Sequence, residues 1–203
     1  MVRQTEAVIV DVTTLTGEKM TEAAAQTPLG SSLRIAAGFV ATSVDDASGI
    51  ETTIEAHYRK VKGRYVPSVI LNRGVSDNFD EEKLRHTSTQ GVLQAAVPHC
   101  IAVRLDEEPE AKWATVSDLT ADDNRILAPW LVAAVVKHGV KDERWDVIEI
   151  LYGVAALAGR PPVKLITAEL AVPERTASDW IKKARKAGRL TGMTSAIGRP
   201  AHG

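Results

Sequence analysis

The stretch RPPVKLITAELAVPERTASDWIKKARKAGRL, residues 160–190, decides how this chain is read. Val163, Ile166 and Leu170 recur at i, i+3 and i+7, which puts them on one face of a helix. Ala177, Trp180, Ile181 and Ala184 make the matching face of a second helix. Between them Val172 is placed to plug a corner, and Pro173 starts the second helix with its φ already set. Two helices this short bury too little surface to stand alone, so a third must cover them. Residues 142–158 supply it, with Trp145, Ile148, Leu151, Tyr152 and Ala155 on one stripe. The expectation is a tri-helical helix-turn-helix unit that presents its last helix to a DNA major groove, with Trp180 in its core and clear of the bases.

Charge points the same way. From residue 159 to the end there are nine basic residues and three acidic ones, a net +6. The whole chain is −1, which leaves −7 for residues 1–158. A basic tail on an acidic body is the asymmetry of a polyanion-binding module. The alternative is a solvated, Lys-rich helix face.

The run TAELAVPERTASDWIKKARKAGRL resembles the helix-turn-helix of many actinobacterial chromosomal and phage-derived proteins. Leu170, Val172, Thr176, Ala177, Trp180, Ala184, Arg185, Gly188 and Leu190 fall on that pattern, and AGRPP at 158–162 resembles its lead-in. Ala171 stands where the pattern has Gly, and Pro173 where it has a capping Ser. Upstream, YRKVKGRYV and EEKLR loosely resemble the front half of the same proteins. The resemblance implies DNA binding, without saying which DNA or for what purpose.

At 203 residues and 44% hydrophobic, the chain suits one medium domain or two small ones. Aromatics are only 4%, so the core is expected to be aliphatic. The single cysteine, Cys100, excludes an intrachain disulfide and favours a reducing compartment. No stretch is long and apolar enough for a signal peptide or a membrane span, so a cytoplasmic location in a bacterium, or a phage-infected one, is expected.

In the front half, residues 7–12 are a short β-prone run, residues 13–32 suit helix or loop, and residues 33–44 read as one strand. Residues 45–49 carry turn chemistry. Residues 50–61 alternate, with Thr52, Ile54, Ala56 and Tyr58 on one side, and residues 65–71 return as a second strand. Pro67 requires an edge or bulge position in that hairpin. Its basic tip, Arg59, Lys60, Lys62 and Arg64, suits phosphate contact, but an exposed charged turn explains it more simply. A helix opens at Asp80-Glu81-Glu82, draws apolar contacts from Phe79, Leu84, Val92, Leu93 and Ala96, and ends or kinks at Pro98.

Residues 105–118 read as a boundary, and the acidic, proline-broken 106–110 as a linker or exposed loop. Residues 120–123 are placed to cap the next helix. Residues 126–138 then read as a strongly apolar helix with Pro129 in its first turn and Gly139 at its stop, suited to core packing or to a dimer surface. Residues 191–203 are expected to fray, with too few residues for a wing.

No active site emerges. The five histidines and Cys100 lack metal-ligand spacing, Cys100 reads as a buried structural residue, and no phosphate-cradling glycine loop occurs. Asp122-Asp123 is better explained as capping. Neither an enzyme nor a cofactor is expected.

The fold expected is therefore α+β: a small sheet-plus-helix domain over residues 1–110, then an all-α helix-turn-helix domain over 119–203. The function expected is sequence-specific binding of double-stranded DNA in transcriptional regulation, by a homodimer on a two-part site, with no membrane association. Alternatives are a recombination or architectural accessory of a mobile element, or a protein-interaction module. On the recognition helix at 174–187, Arg175, Thr176, Ser178, Asp179 and Lys182 are the groove-facing candidates. Arg175 suits guanine, and Asp179 suits a cytosine amino group or a neighbouring Arg. Lys164, Lys183, Arg185, Lys186 and Arg189 flank them as phosphate contacts.

Overall fold

Strands dominate the first half and helices the second. The computed structural model describes residues 9–30, 32–86, 89–104, 112–120, 125–127, 129–137 and 142–193. The strands are β1 (Asp11–Thr13), β2 (Thr27–Leu29), β3 (Leu33–Ile35), β4 (Gly38–Asp45), β5 (Ile50–Arg59), β6 (Arg64–Gly74), β7 (Ile101–Val103) and β8 (Ala114–Thr115). The helices are α1 (Glu81–His86), α2 (Thr89–Ala96), α3 (Val116–Leu119), α4 (Pro129–Lys137), α5 (Asp142–Leu157), α6 (Pro162–Leu170) and α7 (Glu174–Lys186). Single 3-10 turns sit at Glu22–Ala24 and Val97–Cys100. The chain is α+β, with two antiparallel four-stranded sheets ordered β1-β4-β5-β6 and β2-β3-β7-β8.

The alternation at 50–61 works as the pleat requires. Ile50, Thr52, Ile54 and Ala56 are buried while Glu51, Thr53 and Glu55 are only partly covered. Gly63 takes a positive φ of 60° in the turn to β6. Pro67 lies on the edge strand, beside a register shift at Glu55/Ala56, where a missing N–H is tolerated.

Four sequence expectations in this part of the chain need correction. Residues 33–44 are not one strand: β3 and β4 belong to different sheets, and the chain leaves one for the other at residues 36–37. Residues 13–32, expected as helix or loop, also contribute β2. The helix opening at Asp80 is two short pieces: α1 buries no residue, and α2 supplies Val92, Leu93 and Ala96 to the core. Asp80 caps α1 by accepting the Lys83 N–H at 2.9 Å. Within the expected boundary, β8 pairs with β7 and α3 follows directly. The linker at 106–110, the cap at 121–123, Gly139 and the tail beyond Met193 lie outside the described residues.

Helix α5 sits at the centre. From Val147 to Ala158 every residue is buried, so it packs on all sides rather than on one stripe. Its neighbours include α4, α6, α7, β3 and β6, and the buried residues of the sheets and the helices join in one cluster. Polar groups tie the same parts together. The Ser32 N–H donates to Glu149 Oε1 at 2.7 Å, the Ser32 hydroxyl to Asp146 Oδ1 at 2.9 Å, and Gln90 Nε2 to the Ala158 carbonyl at 3.0 Å. Glu149 is fully buried, so the Ser32 N–H answers a polar group that would otherwise be costly inside the fold.

Of the apolar residues at 126–136, Ile126, Leu127, Leu131 and Val135 are buried within this chain, while Ala133 and Val136 are exposed. Cys100 is completely buried and its thiol donates weakly to the Ala96 carbonyl at 3.5 Å. Burial pushes that thiol well above its ordinary range, so it stays protonated and inert.

At the corner between α6 and α7, Ala171 takes φ 50° and ψ 39°, the sole positive φ of a non-glycine residue among those described. A side chain in the left-handed region crowds the following carbonyl and costs about 1–2 kcal/mol. Ala171→Gly should therefore stabilise the protein by about 1 kcal/mol, after allowing for glycine's freer unfolded chain. Thermal denaturation should show a midpoint raised by about 2–4 °C for a chain of this size. An unchanged or lower midpoint would mean that the corner is not strained.

Candidate nucleic-acid interface

The site grows from how α7 is anchored. Ala177, Ile181 and Ala184, at i, i+4 and i+7, are buried. Trp180, expected in the core, is half-buried at the edge of this stripe and packs against the core cluster. The guanidinium of buried Arg144 lies 4.5 Å from its ring centroid, while Arg144 Nη2 donates to the Val135 carbonyl at 2.8 Å. Pro173 stands just before the helix in extended backbone rather than in its first turn, and its carbonyl accepts the Ala177 N–H at 3.0 Å.

Helical spacing then fixes what faces outward. Arg175, Asp179, Lys182 and Lys186 recur at i, i+4, i+7 and i+11, opposite the buried stripe, and all four are exposed. Ser178 and Lys183 flank them and are exposed too, whereas Thr176 is half-buried. Lys186, expected among the flanking residues, shares the outward stripe with Arg175. Lys164 is exposed on α6.

The cations expected to meet DNA divide into two kinds. Among the described residues, Lys164, Arg175, Lys182, Lys183 and Lys186 have no ion-pair partner, so their charge faces solvent uncompensated. Arg185 instead turns back: its Nη2 donates to the hydroxyl of buried Tyr152 at 2.9 Å. Arg189 turns further, with Nη2 3.3 Å from Asp146 Oδ1 and Nη1 4.0 Å from Glu149 Oε2. Its positive charge answers two carboxylates of α5, which suits a structural role better than phosphate binding. Sequence spacing missed this because the partners lie roughly forty residues upstream.

The basic hairpin tip, Arg59, Lys60, Lys62 and Arg64, is an exposed turn that lies near the end of α7. Lys60 lines a groove of about 500 Å³ together with Ala187, Gly188 and Arg189 at the end of α7. The Tyr58 hydroxyl donates to the Gly192 carbonyl at 3.0 Å and holds the two segments together. The tip, remote in sequence, thus adds a lysine beside the basic helix. Nothing short of the tertiary fold reveals that neighbour.

Among the described residues no group of His, Cys, Asp or Glu is arranged to hold a metal, and no helix is long and apolar enough to cross a membrane. Burial lowers the His99 imidazole's affinity for a proton, with Asp118 and Asp11 opposing weakly.

Arg189→Ala should act on stability. It leaves Asp146 and the fully buried Glu149 without their cation, at a cost of about 2–3 kcal/mol. That is below the 3–5 kcal/mol of a fully buried pair, because Arg189 is itself partly exposed. Lys186→Ala, on the solvent stripe, should change stability by no more than about 0.5 kcal/mol. Denaturant melts that found the two variants equally stable would contradict the division drawn here.

No family model, no curated protein and no solved structure matches this chain.

Proposed function

We propose that the chain binds double-stranded DNA through α7, as a sequence-specific regulator of transcription in the cytoplasm. In this reading α6, the corner at 171–173 and α7 are a helix-turn-helix, with α5 as the covering helix. The observation that carries it is the outward stripe of α7, where uncompensated Arg175, Lys182 and Lys186 stand opposite a buried stripe of small and aliphatic residues. A polyanion is the partner that such a surface fits. The left-handed backbone at Ala171 supports the reading, since the corresponding corner in the resembled motif carries glycine.

Roles follow from position. Arg175, Thr176, Ser178, Asp179 and Lys182 occupy the first two and a half turns and are proposed to meet base edges. Lys164, Lys183 and Lys186 are proposed to hold phosphates, with Lys60 of the hairpin tip as a further contact near the helix end. Arg185 serves mainly to fix α7 on Tyr152, and Arg189 leaves the phosphate set. A homodimer on a two-part site belongs to the proposal because one such motif reads few base pairs. The same surface suits a recombination or architectural accessory of a mobile element. A protein-docking module is the second reading, favoured by exposed Glu174 and Asp179, which phosphates would repel.

Selection of bound sequences from a random duplex pool, followed by two variants, tests the assignment. Arg175→Ala should lose about 1–3 kcal/mol on the selected site and relax preference at one position. Lys183→Ala should weaken selected and scrambled duplexes alike. If folded Arg175→Ala retains the full motif and affinity, the base-reading role is wrong. If the pool yields neither a motif nor bound duplex, the DNA reading itself fails.

A further inference from the structure

Away from α7, a cleft of about 680 Å³ opens between the first sheet and the α1–α2 segment. That size lies within the range of small-molecule sites. Its inner part is buried Ile50, Thr52 and Val92, and its rim carries Asp45, Asp80 and Glu82. Two observations distinguish it from a gap in the packing. The wall is held in place: Gly91 and Val92 of α2 line it, and the adjacent Gln90 is the residue bonded to the Ala158 carbonyl. The interior also holds an unanswered polar group. Thr52 is only 3% exposed and lines the cleft, yet its hydroxyl has no hydrogen-bond partner among the described residues. Its cross-strand neighbour Asn72 likewise has a buried Oδ1 without a partner. The Thr52 hydroxyl is thus left, at the inner end of the cleft, with its bonding capacity unused by the protein.

The charges choose the ligand class. Asp80 is engaged in capping α1, and its second oxygen lies 3.9 Å from Lys83 Nζ. Asp45 accepts the Ser48 hydroxyl, which holds its carboxyl below the ordinary range and keeps it anionic. Asp45 and Glu82 are both exposed at the mouth. With three carboxylates against one lysine, the mouth attracts cations. We infer that this cleft binds a small organic cation, a compact apolar or aromatic body carrying a primary amine. The body lies on Ile50 and Val92, the ammonium faces Asp45 and Glu82, and Thr52 accepts or donates a bond at the inner end.

Three probes sharing one apolar body separate the possibilities: 2-phenylethylamine, 2-phenylethanol and 3-phenylpropionate, titrated calorimetrically into the intact chain. The amine should saturate, at least about tenfold tighter than the alcohol, and the carboxylate should not bind. Asp45→Asn with Glu82→Gln should erase the advantage of the amine over the alcohol. Thr52→Val should weaken the amine about three- to tenfold while the thermal midpoint holds or rises, because the lost hydroxyl has no bond to break in the protein. The inference is overturned if none of the probes saturates, if the carboxylate binds as tightly as the amine, or if the folded variants bind the amine like the parent.

Discussion

The burial of α5 from Val147 to its end is the constraint on which the rest depends. A helix without a solvent face needs partners on every side, and a two-helix corner cannot provide them alone. Strands β3 and β6 and helices α4, α6 and α7 all pack against α5, so the helical half is seated on the strands. The few polar groups of α5 make the seating specific. Asp146 and Glu149 receive Ser32 from the β2–β3 turn and Arg189 from beyond α7, so one pair of carboxylates joins both ends of the fold. Such a network fixes geometry more than it adds net stability, since each buried charge must first lose its water.

That seating sorts the cations of the last third of the chain. A count of basic residues treats them as equal, but α7 does not. Arg144 stacks on Trp180, Arg185 reaches Tyr152 and Arg189 reaches the α5 carboxylates, so these arginines hold the helix in place. The lysines and Arg175 remain outside. The division follows side-chain chemistry: a guanidinium keeps several directed bonds while partly desolvated, whereas an ammonium is more strongly hydrated and stays in water.

The helical half was legible in residues 142–190 because a period of 3.6 with a proline corner is a strong local signal, and α5, α6 and α7 lie close to where that period puts them. The β5–β6 hairpin was legible for the same reason, since its alternation runs for ten residues. The second sheet was not. β2, β3 and β7 are three residues each and β8 only two, too short to show a period, and they exist because nonlocal pairing and the α5 surface support them. Trp180 shows a subtler limit. Its spacing placed it on the inner face, but only the position of Arg144 determines that it sits at the edge under a cation. The amine cleft had no sequence signal, because its walls come from β4, β5 and α2, which spacing does not relate.

The central claim is that the uncompensated cations of α6 and α7 meet the phosphates of a duplex, and the salt dependence of affinity tests it most directly. Each neutralised phosphate releases counterions and contributes about −0.9 to the slope of log affinity against log salt. Lys164, Lys183 and Lys186, with or without Lys60, should give a slope of about −3 to −4 per protomer on duplex DNA. A slope near zero, or no measurable duplex binding at low salt, would contradict the account and favour a protein partner for α7.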